Sequence, residues 1–157
     1  MSTLAQMKGL NKMNLKLEYR KALGTDMDFL LDLRMKTMTE HLLSSNLPVT
    51  KESAIKRVLH QFEKAHIIIL NDEPIGLLKI DRNSDHIEVM QIQIDPAQQG
   101  KGIGRSILED IIQEAIEARK PVSLSVLKTN KAQKLYANLG FKVINEDEHS
   151  YMMKFSR

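Results

Sequence analysis

The sequence predicts an α/β (α+β) protein: a mixed, mostly antiparallel central sheet flanked by helices, in the order β-α-α-β-β-β-α-β-α-β-β. Three stretches predict it. Gln91–Arg105 reads as a strand, a glycine-rich turn and the start of a helix. Residues 65–95 hold three β-rich runs separated only by short turns, which is an antiparallel meander. A long amphipathic helix joins the third run to Val122–Val126, and a strand–helix–strand unit implies a right-handed parallel crossover.

The elements follow in order. Residues 1–13 are polar and rich in Met without a sustained period, and read as a flexible leader ahead of a single domain over 14–157. The sequence leaves open whether Met1 or Met13 is the natural start. Leu15–Arg20 alternates apolar and polar residues as an edge strand does, and Gly24 ends it. Thr25 or Asp26 can cap a helix whose stripe is Phe29, Leu30, Leu33, Met38 and Leu42. Asn46 and Pro48 break it. Thr50, with Ser53 also able to cap, starts a second helix to about Phe62, with Ile55, Val58, Leu59 and Phe62 on one face.

Ala65–Leu70 and Pro74–Ile80 form a hairpin about Asn71-Asp72-Glu73. His86–Asp95 is the third strand, in which Ile92 and Ile94 alternate with Gln91, Gln93 and Asp95 as in a half-buried strand; Pro96 stops it. The following helix shows Ile103, Ile107, Leu108, Ile111, Ile112, Ala115 and Ile116 on one face, to about Arg119. After the strand at Val122–Val126 comes a short helix over Asn130–Leu139, stopped by Gly140 in a left-handed conformation. Phe141–Asn145 and Tyr151–Phe155 are the last two strands.

Bulk properties narrow the function. A chain of 157 residues suits one domain with a proper core. There is no cysteine, which removes disulfides, thiol nucleophiles and thiolate metal sites. The histidines His41, His60, His66, His86 and His149 show no metal-ligand spacing, so no metal is expected. Absence of a signal-like or membrane-spanning apolar run makes the cytoplasm the default and a membrane partner unexpected. Net charge is +3, but Lys8, Lys12, Lys16, Arg20 and Lys21 against Glu18 place +4 in the first 24 residues and leave −1 for the rest. A basic tail and first strand, without interleaved aromatics, argue against nucleic acid.

The glycine turn carries the chemistry. Gly100, Gly102 and Gly104 stand at every second position between strand and helix. Glycine lets a ligand approach the backbone closely, and the first amides of a helix lack internal partners and lie at the positive end of its dipole. The arrangement is therefore a phosphate cradle, or else a tight connection with no ligand. The P-loop needs Gly-Lys-Ser/Thr, and the Rossmann turn needs its third glycine one residue later; neither fits.

Gln99-Gly100-Lys101-Gly102-Ile103-Gly104 does match Q/R-x-x-G-x-G/A, and Leu135-Tyr136-Ala137-Asn138-Leu139-Gly140-Phe141 matches L-Y-x-x-x-G-F. At these two motifs, and in its order of elements, the chain resembles the GNAT family, the Gcn5-related N-acetyltransferases, over about residues 15–155. The resemblance implies acetyl transfer from acetyl-coenzyme A to a primary amine of a small molecule or peptide, with no metal and with a homodimer left open. It implies pyrophosphate binding by the amides of Gly100, Gly102, Ile103 and Gly104 beside Gln99, Lys101 and Arg105. It also implies that the pantetheine arm lies against Ile92, Gln93 and Ile94, where their strand splays from its parallel neighbour, and that Asn130 contacts the coenzyme. Asn130 can equally cap a helix, and Lys101 and Arg105 can equally be solvated charges.

Tyr136 matches the family's usual general acid, able to protonate the leaving thiolate; core packing is its other reading. The base is open. Some members place a glutamate where this chain has Ser125, so that route is absent; others place it on the long strand at the position of Glu88, which is either a base acting through water or an exposed strand carboxylate. The alternative function is a non-catalytic acyl-coenzyme A sensor of the same fold. The acceptor-facing segments, 26–62 and 145–151, hold no readable motif.

Overall fold

The structure is a computed structural model that describes residues 16–157. The leader and Leu15 lie outside the described residues. One seven-stranded sheet runs through the molecule in the order β1-β2-β3-β4-β5-β7-β6. The strands are β1 (Leu17–Lys21), β2 (Ala65–Leu70), β3 (Glu73–Arg82), β4 (Ile87–Ile94), β5 (Val122–Leu127), β6 (Lys142–Glu146) and β7 (Ser150–Phe155). Every neighbouring pair is antiparallel except β4–β5. Four helices cover the sheet: α1 (Met27–Ser44), α2 (Lys51–Leu59), α3 (Ile103–Ala118) and α4 (Gln133–Asn138).

Two cores follow from the two faces. On one face α3 buries Ile103, Ile107, Leu108 and Ile111 against Leu78, Ile80, Ile87, Val89, Val122 and Leu124. Tyr136 and Phe141 complete this core, their rings meeting edge-on with centroids 6.0 Å apart. On the other face Leu30 and Leu33 of α1 and Val58 of α2 pack on Ile67 and Leu77. The expected α1 stripe narrows to these two leucines; Met38 and Leu42 are only half-buried because they border open clefts.

Local chemistry sets the boundaries. Asn71 and Asp72 both take positive φ, 52° and 67°, as a tight hairpin turn requires. Thr50 caps α2 by accepting from the Ser53 N–H at 3.1 Å. Asp26 does not cap α1: its carboxylate accepts from the Leu23 N–H and from both Nη atoms of Arg20, so it braces the short 3-10 turn Gly24–Asp26. The second helix ends at Leu59, three residues before its expected end, where Gln61 turns left-handed. The last helix starts at Gln133 because Asn130 makes a turn ahead of it, its Oδ1 accepting from the Ala132 N–H at 2.9 Å.

The long strand departs from simple alternation. Val89 pairs with Ile80 and Gln91 with Lys79, which leaves Met90 as a bulge. The extra residue switches the parity of the strand. Ile87 and Val89 before it, and Ile92 and Ile94 after it, all join the α3 core, while Gln91 and Gln93 turn to the α1–α2 side. The expectation of polar residues on a wet face fails here: Gln91 and Gln93 are 9% and 6% exposed, because helices cover both faces.

Candidate active site

The parallel pairing of β4 with β5 ends at Val89↔Leu124. The Met90 bulge comes next and accounts for the parting, since a bulge bends its strand and sharpens its twist. Beyond this point β5 pairs only with β7. Ile92, Gln93 and Ile94 therefore keep a main-chain edge that faces a gap between two parallel strands.

The gap opens into a cleft of about 590 Å³, walled by Ile92–Ile94, the glycine turn, the first turn of α3, and the segment Thr129–Ala132 with Leu135 and Tyr136. The turn is held from behind. Asp95 accepts from the Ala97 N–H at 3.0 Å, and the Gln99 amide donates to the Ile94 carbonyl at 3.0 Å. Gly100 and Gly102 have φ of 79° and 78°, a region that favours glycine. Gly102 stands at the N-cap of α3 and has no side chain with which to satisfy the first amides. Gly104 is different: it lies within the helix, and a Cβ there would meet nothing within 4 Å. Its missing side chain leaves the cleft floor open rather than relieving strain.

The expected cation partners of phosphate point to neighbours. Lys101 Nζ donates to Gln98 Oε1 at 3.0 Å, and Arg105 lies 3.8 Å from Glu109 one turn along α3. Both side chains are exposed; Arg105 lines the cleft, whereas Lys101 does not.

A second cleft of about 440 Å³ lies between the sheet and the α1–α2 pair. Glu88, Gln91, Gln93 and Ser125 line its sheet side, and Arg34 and Arg57 its helical side. The two clefts share Met38, Ile92, Gln93, Asn130 and Tyr136, and so meet where β4 and β5 part. Tyr136 is 8% exposed, and burial pushes its pKa up to about 12. It packs in the α3 core and also lines both clefts. Glu88 lies in the second cleft, and its carboxylate forms no hydrogen bond or ion pair among the described residues.

Lys79, Arg34 and Arg57 escaped the sequence reading. Lys79 is 1% exposed in the middle of β3, with Nζ donating to the carbonyls of His60 at 2.6 Å, Val58 at 3.3 Å and Arg57 at 3.4 Å. It thus caps the C-terminal end of α2, where carbonyls are otherwise unpaired. Burial and then the nearby Arg57 lower its pKa to about 8. Arg34 is pushed down to about 10 by burial and by the same neighbour. The signal was present: Arg34 falls four residues from both Leu30 and Met38 on the apolar stripe, and Lys79 interrupts the apolar run Ile75–Ile80.

The model of the acetyltransferase (GNAT) domain matches residues 36–155, most of the chain. The chain belongs to the GNAT acetyltransferase family. Solved GNAT structures share its fold at low identity. PaiA N-acetyltransferase from Thermoplasma acidophilum, in complex with coenzyme A, is 16% identical with a TM-score of 0.68 over 90% of this chain and 99% of that one. An acetyltransferase from Thermus thermophilus is 18% identical with a TM-score of 0.68 over 88% and 95%. The ribosomal-protein-S18-alanine N-acetyltransferase from Escherichia coli is 19% identical with a TM-score of 0.64 over 90% and 95%. Comparison with curated proteins gives no sequence match. Among the described residues no helix is long and apolar enough to cross a membrane, and no group of three metal-ligating side chains is found.

Proposed function

We propose that this GNAT protein transfers the acetyl group of acetyl-coenzyme A to a primary amine by direct attack. One observation carries the reading: the β4 edge at Ile92–Ile94 is left free by β5 and runs straight into a helix start whose Gly104 opens onto the same cleft. An extended amide-bearing arm can pair with that edge as an added strand, and its phosphates can reach the amides of Gly102–Gly104 at the positive end of α3. Ile92, Gln93, Ile94, Gln99, Gly100, Lys101, Gly102, Ile103, Gly104, Arg105 and Asn130 would hold the coenzyme.

The acceptor enters from the second cleft. Its nitrogen attacks the thioester carbon, a C–N bond forms and the C–S bond breaks. A main-chain N–H of the open β4 edge faces the oxygen as negative charge builds on it. The attacking nitrogen loses one proton, which Glu88 receives through water. The departing sulfur gains one, which Tyr136 supplies. A phenol raised to about 12 stays protonated throughout the neutral range, so it is always present as a donor. A thiolate is a weaker base than this phenolate, so placement of the donor matters more than matched acidity.

Calorimetric titration with acetyl-coenzyme A, followed by thiol release across a panel of amines, tests the proposal. Saturable binding and amine-dependent thiol release are expected. Absence of binding would reject the coenzyme site. Binding without turnover on any amine would instead identify an acyl-coenzyme A sensor.

A further inference from the structure

We infer that the acceptor amine carries an anionic oxygen group, a carboxylate or a phosphate, and that Arg34 and Arg57 bind it. The inference rests on the acetyl-transfer reading above and adds the class of acceptor. Arg34 comes from the buried side of α1 and Arg57 from the end of α2, and both line the second cleft. Neither guanidinium forms an ion pair or a side-chain hydrogen bond among the described residues, whereas the buried Lys79 nearby has three carbonyl partners. Beyond the effect of burial, Arg57 disfavours the charged form of Arg34, and Arg57 and Arg34 both disfavour that of Lys79. A half-buried guanidinium beside another cation is costly unless something anionic completes it.

The rest of the cleft agrees. Among the described residues Glu88 is the only carboxylate that lines it, and it lies on the sheet side. Paired guanidiniums suit a carboxylate or phosphate, whose oxygens they bind in forked geometry. Gln91 is 9% exposed, and its Oε1 is buried with no hydrogen-bond partner among the described residues. That oxygen can accept an N–H from the incoming amine. The cleft thus offers donors for an anion from the helices and an acceptor for nitrogen from the sheet. A volume of about 440 Å³ suits a small molecule. A polyamine would bring a second cation against two that are already uncompensated.

The test uses matched acceptors with the full chain and saturating acetyl-coenzyme A: 4-aminobutyrate against butylamine, phosphoethanolamine against ethanolamine, and putrescine as a dication. Thiol release gives kcat/KM for each. At least about a tenfold preference for one anionic member over its neutral partner is expected, the scale of one charge-assisted hydrogen bond. The preferred pair tells carboxylate from phosphate. Arg34→Gln and Arg57→Gln should each collapse the anionic-to-neutral ratio, mainly through KM, with acetyl-coenzyme A affinity kept. Arg57 is exposed, so its variant reports even if Arg34→Gln unfolds. Equal rates on both members of both pairs, a preference for putrescine, or a ratio untouched in folded Arg57→Gln would overturn the inference while leaving acetyl transfer standing. Failure of the parent to bind acetyl-coenzyme A would overturn the functional reading itself, and this inference with it.

Discussion

The two clefts that meet at Tyr136 are built from different material. The cleft beside α3 presents main chain along one wall: a strand edge released by its neighbour, glycines at φ near 80°, and the first amides of a helix. The cleft under α1 and α2 is made of side chains from three elements: Arg34, Arg57, Glu88 and Gln91. Main-chain recognition needs a particular backbone path, and glycine spacing records that path in sequence. Side-chain recognition needs only that distant residues converge, and no spacing records it. A scaffold built this way can keep its donor fixed while its acceptor changes.

Breaking the junction should have the largest effect. Tyr136→Phe keeps the ring and its contact with Phe141 but removes the donor, and turnover should fall by roughly 10²-fold while acetyl-coenzyme A affinity stays. Single-turnover thiol release measures it, provided chemistry limits the rate. A packing role alone would give parent rates. Glu88→Gln should lower turnover by about 10-fold or more at neutral pH. That loss should shrink as pH rises and more of the amine is already neutral. A variant with the parent pH–rate profile would make Glu88 a surface carboxylate.

Two further substitutions separate folding from function. Gly76 and Gly104 are both glycines on elements beside the clefts, yet a Cβ at Gly76 would collide with the Gln93 carbonyl, whereas one at Gly104 meets nothing. Gly76→Ala should cost about 1–3 kcal/mol of stability by overpacking, read from chemical denaturation; Gly104→Ala should leave the midpoint close to the parent. An unmoved Gly76→Ala midpoint would contradict the close approach of β3 and β4. The last effect is pH-dependent and belongs to Lys79. Its native pKa, about 8, lies below the ordinary 10.5 of an unfolded chain. Between these values the unfolded chain holds a proton that the native state has released, so this group makes stability rise with pH across that window. Lys79→Met should abolish that rise, as denaturation series at pH 8 and pH 10 would reveal. An identical slope in both proteins would place the Lys79 pKa near its free value.

What could be read in the sequence follows the same division. The seven strands, their order and the four helices were legible because apolar period, turn residues and glycines act locally. The Met90 bulge was not, since a bulge is a mismatch between two strands and neither strand alone spells it. It set Gln91 and Gln93 on the α1–α2 side, where helices cover what was expected to be a wet face. Arg34 and Lys79 interrupt apolar patterns, and only the fold shows that Lys79 caps a helix end and Arg34 borders a cleft.

The central claim is that backbone, in the cleft beside α3, holds the coenzyme. Calorimetric titration of acetyl-coenzyme A into the parent and into Gly104→Glu tests it most directly. The substitution fills open space in the structure and adds a negative charge where phosphate is expected, so the variant should fold, with an unchanged melting temperature, and lose at least about 100-fold in affinity. Parent affinity in folded Gly104→Glu would contradict the account.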